Sequence, residues 1–223
     1  MTSKSIVILI SGSGTNLQAI IDAVANGQIK ATIAAVISNR PDATGLQRAQ
    51  QAQIKTVVID QREYEDRATY DDALIAEIDK YKPDLVVLAG FMRILSEKFI
   101  NHYPDAILNI HPSLLPEFKG LHTHRRAIEA SKLTHGASVH FVSNELDSGP
   151  VVIQAEVSVL PDDNEETLAA RVLQQEHIIY PMAIAWYIDD RLALNGNKIL
   201  LDNKIMHGPA LWKADQLIYS EQH

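Results

Sequence analysis

The sequence predicts an α/β fold: a doubly wound, mostly parallel sheet followed by an antiparallel C-terminal portion. Three observations predict it. Continuous apolar runs recur through the first half of the 223 residues, as strands buried on both faces require. Helix-period segments alternate with those runs, the pattern of right-handed crossovers in a parallel sheet. After Gly136 the alternation stops. ASVHFVS and VVIQAEVSV follow each other across NELDSGP with no helix between them, which reads as an antiparallel pair.

The elements follow in order. Ile6–Ile10 is an unbroken apolar run and the first strand. SGSGT is a turn. Leu17, Ile20, Ile21 and Val24 then recur at i, i+3, i+4 and i+7, a helical stripe, and Gly27 is placed to end that helix. Ile33–Ile37 is the second strand, Leu46–Gln51 a short helix, and Thr56–Ile59 the third strand. Tyr70, Leu74, Ile75 and Ile78 mark a second long helix that ends before Pro83. Leu85–Leu88 is the fourth strand, and Gly90 opens its exit loop. Ser96 suits the cap of a short helix containing Phe99 and Ile100. Ala106–Ile110 is the fifth strand. Beyond the antiparallel pair, a long helix is expected from about Glu165 to about Asp189. Its stripe carries Leu168, Val172, Gln175, Ile179 and Met182, and Pro181 is placed to kink it. The tail offers only a short apolar run, Lys198–Leu201.

Composition narrows the functional classes. Hydrophobic residues make up 46% and charged residues 22%, so the chain has enough apolar surface to bury a core. The formal net charge is −8 and no long basic run occurs, which argues against nucleic acid or an anionic membrane as partner. There is no cysteine, so thiol catalysis and cysteine metal sites are excluded. No stretch approaches the roughly 18 apolar residues of a membrane span. A cytoplasmic protein is expected.

Three constellations carry chemistry. SGSGTN, residues 11–16, lies between a strand and a helix. Glycines there let the backbone turn tightly and leave helix N–H groups facing outward beside the positive end of the dipole. The triphosphate-binding pattern needs a Lys after its last Gly, but Thr15 and Asn16 follow Gly14. The dinucleotide fingerprint needs a third Gly where Leu17 stands, and an acid where the second strand ends in Ser38-Asn39-Arg40. A single phosphomonoester remains, with a plain strand–helix turn as the alternative.

LNIHPSLLP, residues 108–116, is the second. Asn109 and His111 stand two apart at the carboxyl end of the fifth strand and share a face, at the end where ligands bind in such sheets. An amide donor beside an imidazole suits a carbonyl oxygen that becomes negative during attack. A satisfied polar pair tying down the loop is the alternative. ELDSGP, residues 145–150, is the third. Asp147-Ser148-Gly149-Pro150 is ordinary turn chemistry, or supplies a carboxylate to His111 that favours imidazolium. His122 and His124, in LHTH, lack a clear third ligand and make a weak metal site; His140 alternates within its strand. Glu176 on the long helix could reach a ligand or solvent. Arg67 and Arg93 read as solvated faces by position alone.

Taken together, SGSGTNLQAII, VVLAGFMRIL, LNIHPSLLP, GLHTHRRA and ELDSGP resemble, in order and spacing, the glycinamide ribonucleotide formyltransferase family of purine biosynthesis. The resemblance covers nearly the whole chain and weakens after about Asp190. It implies a Rossmann-like formyltransferase fold over 1–223 as a single domain. Within it lie a phosphate-binding half of about 1–105, a folate and catalytic half of about 106–190, and a tail of about 191–223. It implies transfer of a formyl group from 10-formyltetrahydrofolate, as co-substrate, to the glycine amine of glycinamide ribonucleotide, without a metal. It carries the catalytic trio onto Asn109, His111 and Asp147. Ribonucleotide contacts fall on Gly14, Thr15, Asn16 and Glu176. Folate contacts fall on Arg67, on Met92, Arg93, Ile94 and Leu95, and on Asn109.

A 10-formyltetrahydrofolate deformylase would use water as acceptor, and SGSGTN argues instead for a phosphorylated one. A non-catalytic phosphometabolite-binding module would leave Asn109, His111 and Asp147 idle. Small-molecule substrates and a monomer or homodimer are expected.

Overall fold

A computed structural model describes residues 4–219. Residues 1–3 and 220–223, which the single-domain reading includes, lie outside the described residues. The chain forms two compact units, one ending at Asn109 and the other beginning at Ile110.

From β1 to β5, strands and helices alternate as the apolar runs require: β1 (Lys4–Ile10), α1 (Thr15–Ala25), β2 (Ala31–Ser38), α2 (Gly45–Gln51), β3 (Thr56–Val58), α3 (Arg67–Ile78), β4 (Leu85–Leu88), α4 (Glu97–His102) and β5 (Ile107–His111). β1 pairs in parallel with β2 and β4, β2 with β3, and β4 with β5. The order is therefore β5-β4-β1-β2-β3. Chain order reverses between β1 and β4, the switch point beside which ligands bind in open parallel sheets. Ile6 to Ile10 are all fully buried, as a central strand covered on both faces must be. Leu17 and Ile20 of α1, and Tyr70, Leu74 and Ile78 of α3, are also fully buried. Asp66 caps α3 by accepting from the Thr69 amide at 2.8 Å, and Ser96 caps α4.

The second unit carries α5 (Thr123–Glu129), the antiparallel pair β6 (Thr134–Phe141) and β7 (Val151–Ser158), and α6 (Glu165–Ile188). Gly136 is required in β6, because a Cβ there would lie 1.8 Å from the Ala155 carbonyl oxygen. The helix α6 begins at a capping box on Asn164 and Thr167, and runs through Pro181 without interruption. Its buried stripe differs from the expected one at two places: Glu176, not Gln175, is buried, and Met182 is only half-buried.

The tail is more structured than its composition suggests. β8 (Leu192–Asn195), β9 (Lys198–Leu201) and β10 (Lys204–Ile205) form a small antiparallel sheet. β11 (Ala210–Lys213) pairs in parallel with β7, and β12 (Gln216–Ile218) pairs antiparallel with β11. Among the described residues no helix is long and apolar enough to cross a membrane.

Candidate functional site

The loop between β1 and α1 is built to approach other backbone closely. Gly14 precedes α1 with φ +70°, and no side chain caps the helix. The first-turn amides are thus not taken by a side-chain cap, and the first turn holds no acid. A Cβ on Gly14 would stand 2.6 Å from the Cα of Gly45, so the loop tolerates only glycine there. The start of α2 holds the loop: the Gly45 amide donates to the Gly12 carbonyl at 3.0 Å, and Arg48 Nε donates to the Ser13 carbonyl at 2.9 Å. Asn16 is buried and Thr15 half-buried in the first turn of α1. Such a turn, with backbone donors beside the positive end of a helix, suits a phosphate.

The segment after β4 is the second part. Phe91 and Leu95 are buried, while Met92 and Ile94 are 69% and 56% exposed. The segment thus shows an apolar surface, of the kind a flat heterocycle can cover, and is anchored at its alternate residues. The Met92 amide donates to Ser11 Oγ at 2.7 Å, and the Ser96 amide to the buried Asp71 carboxylate at 2.6 Å. Arg93 is not the solvated arginine its position alone suggested. Its guanidinium stacks over Tyr70 at 4.1 Å and donates to Gln61 Oε1 at 2.9 Å. Arg67 is exposed at the first position of α3.

The third part gathers His111 and Asp147. His111 ends β5, and Asn109 shares its face two residues earlier. Pro112 follows at once. His111 is only 6% exposed. Its Nδ1 lies 3.4 Å from Asp147 Oδ2. Its Nε2 donates to the Phe118 carbonyl at 3.0 Å; a carbonyl only accepts, so Nε2 carries a proton in this arrangement. Asp147 stands at φ +47°, and its carboxylate accepts the Gly120 amide at 2.9 Å. Gly149 fixes that turn, since a Cβ there would fall 1.8 Å from the Phe141 carbonyl oxygen. The pairing of His111 with Asp147, which sequence leaves open, is therefore present.

Sequence reasoning missed what supports these residues. His140 lies beside Asp147, its Nε2 at 3.8 Å from Oδ1, while its Nδ1 donates to the Phe141 carbonyl at 2.8 Å. A register shift in β6 between Val139 and His140 turns the ring there. Burial lowers its pKa, against the opposing effects of the Phe141 carbonyl and Asp147. The loop after His111 is held by a buried polar group. Ser138 Oγ accepts the Leu115 amide at 3.0 Å and donates to the Ser113 carbonyl at 2.6 Å. Gln154 Nε2 donates to the Leu115 carbonyl at 2.8 Å. Nothing local marks Ser138 or Gln154 as special, since their partners lie far along the chain.

His122 precedes α5 in the left-handed region. His124 packs edge-on against His135 at 5.2 Å, and burial lowers the pKa of each. Among the described residues no group of three or more His, Cys, Asp or Glu could hold a metal ion. Glu176 is buried in α6.

The formyl transferase family matches residues 4–184. The phosphoribosylglycinamide formyltransferase of Escherichia coli (strain K12) is 55% identical over 212 residues, covering 95% of this chain and 100% of that protein. The phosphoribosylglycinamide formyltransferase of Haemophilus influenzae is 49% identical, with coverage of 91% and 96%. The solved structure of the phosphoribosylglycinamide formyltransferase from Coxiella burnetii superposes with a TM-score of 0.89 at 49% identity, covering 93% of this chain and 98% of that one.

Proposed function

The chain belongs to the formyl transferase family, and from that premise we propose that it formylates the amine of glycinamide ribonucleotide in purine biosynthesis through Asn109, His111 and Asp147. It is a folate-dependent formyltransferase that takes small-molecule substrates. The donor in this reading is 10-formyltetrahydrofolate, used as co-substrate without a metal. We read 1–223 as one formyltransferase domain, because the family match at 4–184 runs through the boundary between the two units. The cysteine-free composition fits a cytoplasmic enzyme, acting as a monomer or homodimer.

The observation that carries the mechanism is the double engagement of His111: Asp147 on Nδ1 and a carbonyl acceptor on Nε2. In the reaction the formyl oxygen takes the acceptor position that the Phe118 carbonyl holds, beside the Asn109 amide. The neutral amine attacks the formyl carbon. As the carbon becomes tetrahedral, Asn109 and His111 stabilise the oxyanion. Asp147 stabilises the positive charge on the imidazole and helps relay the amine proton, and His111 acts as general acid to the departing folate nitrogen. The balance is simple: a new N–C bond forms, the folate N–C bond breaks, and one proton passes from amine to folate nitrogen. No covalent enzyme intermediate is needed.

Gly14, Thr15 and Asn16 bind the ribonucleotide phosphate in this reading, and Glu176 contacts the ribonucleotide. Met92, Arg93, Ile94 and Leu95 line the folate, Asn109 contacts it, and Arg67 meets its negatively charged tail. The test mixes the chain with 10-formyltetrahydrofolate and a panel of amines while loss of the formyl-folate is followed. Turnover only with glycinamide ribonucleotide is expected. Release of formate without any amine would establish a hydrolase instead, and binding of both ligands without turnover would establish a binding module.

A further inference from the structure

A chain of buried and partly buried hydrogen bonds joins the phosphate loop to the folate segment. Ser11 is the first residue after β1 and is 4% exposed; Asn39 follows β2 and is 1% exposed. Ser11 Oγ accepts the Met92 amide at 2.7 Å and donates to Asn39 Oδ1 at 2.6 Å. Asn39 Nδ2 donates to Gln61 Oε1 at 2.8 Å. The same Gln61 oxygen accepts Arg93 Nη1 at 2.9 Å. The path leaves residue 92, crosses the carboxyl ends of β1, β2 and β3, and returns to residue 93. Its Ser11–Met92 step bridges the switch point between β1 and β4. Ser11 and Asn39 are buried, and Gln61 and Arg93 half-buried. The path closes on the segment it left, and Arg93 Nε is its one buried side-chain atom without a hydrogen-bond partner.

We propose that Ser11, Asn39 and Gln61 are positioning residues that couple the two loops, so that filling the phosphate loop strengthens folate binding and the reverse. This rests on the assignment of ribonucleotide to 14–16 and folate to 92–95. The physical basis is shared ordering. A phosphate on the Gly14–Asn16 amides fixes the loop that begins at Ser11, and the bond to the Met92 amide carries that restriction to the folate segment. The second ligand then loses less conformational freedom on binding than the first. Coupling between sites is reciprocal and typically amounts to about 5- to 150-fold in affinity.

The experiment is isothermal titration on the full chain. Glycinamide ribonucleotide is titrated alone and with saturating tetrahydrofolate, a pair that cannot react because no formyl group is present. Ribonucleotide affinity is expected to rise at least about fivefold in the ternary complex. Ser11→Ala and Gln61→Ala should bring that ratio close to one. Gln61→Glu should keep it within about twofold, because Gln61 makes both bonds through an acceptor oxygen that glutamate retains. Half-buried Gln61 also supplies the test if Ser11→Ala does not fold. A merely structural role would weaken either binary complex and leave the ratio alone. A wild-type ratio of one, a ratio unchanged in the alanine variants, or its loss in Gln61→Glu would each overturn the proposal. Failure of the wild type to bind either ligand alone would instead overturn the functional assignment beneath it.

Discussion

Replacing Gly14 by alanine tests the phosphate loop through backbone geometry alone. Gly14 has φ +70°, where an L-residue costs about 1–2 kcal/mol. The added Cβ would lie 2.6 Å from the Cα of Gly45, 0.8 Å inside the 3.4 Å at which ordinary contact begins. The obstacle is backbone, so no rotamer change relieves it. The two segments are also tied by the Gly45–Gly12 hydrogen bond. Overpacking of this sort costs about 1–3 kcal/mol. The sum, about 2–5 kcal/mol, corresponds to a melting temperature lower by on the order of 10 °C in a chain of this size. The functional loss should be directional. On the proposed assignment of the ribonucleotide phosphate to this loop, displacing the α1 amides by a few tenths of an ångström or more should raise KM for glycinamide ribonucleotide about 10- to 100-fold, with a smaller effect on KM for the folate. Thermal unfolding and initial-rate kinetics with each substrate varied in turn measure both effects. A variant that melts within 1 °C of the parent sequence and shows unchanged ribonucleotide KM would refute the reasoning (about 1 °C being well under a 1 kcal/mol effect).

Other outcomes follow from the same geometry. His111→Ala should lower kcat on the order of 10²–10³-fold at saturating substrates; near-normal turnover would remove His111 from the mechanism. Gly149→Ala would drive a Cβ to 1.8 Å from the Phe141 carbonyl oxygen, moving the turn that presents Asp147. A lower urea midpoint and a fall in kcat should appear together, and a stable, fully active variant would show that the turn's position does not matter. Thermal stability should decline as pH falls from about 6.5 toward 4, because burial pushes the pKa of His135 down to about 4. The unfolded chain binds a proton in that window that the folded chain refuses, so stability is full above it and lost through it. His135→Gln should flatten the slope of melting temperature against pH, and an unchanged slope would assign the effect elsewhere.

The residues that announced themselves in the sequence did so by local pattern. Ile6–Ile10 reads as a central strand because five consecutive apolar residues suit no half-exposed element, and all five are buried. Asn109 and His111 are conspicuous because polar groups interrupt an apolar strand just before Pro112. Glu176 was harder to place. A hydrophobic stripe puts the inward position at Gln175 or Glu176 by neighbouring apolar residues alone, and a buried carboxylate breaks the rule the stripe relies on. Ser11, Asn39, Ser138 and Gln154 were silent for another reason: their partners lie 28, 81, 25 or 39 residues away. The helix α5, of seven residues, is too short to show a period. The tail hairpins did leave a signal, though a small one. Asp202-Asn203 and Ala214-Asp215 each have two successive positive φ values, the mirror-image turn that two-residue hairpins favour, and only the Asp-Asn pair has a composition that hints at it.

The Phe118 carbonyl on His111 Nε2 has a consequence for selectivity between ground state and transition state. A neutral formyl oxygen that displaces it exchanges one carbonyl acceptor for another, so the bond contributes little net affinity for substrate. An oxygen bearing negative charge is a different competitor, since charge-assisted hydrogen bonds are roughly twice as strong as neutral ones. The internal carbonyl thus sets a reference level that only the developing oxyanion exceeds. In the proposed mechanism, binding energy at this nitrogen is therefore withheld from the resting substrate and released along the reaction coordinate, where it lowers the barrier. By the same logic, an inhibitor bearing an anionic or hydrated carbonyl at that point should outcompete a neutral carbonyl analogue of equal shape.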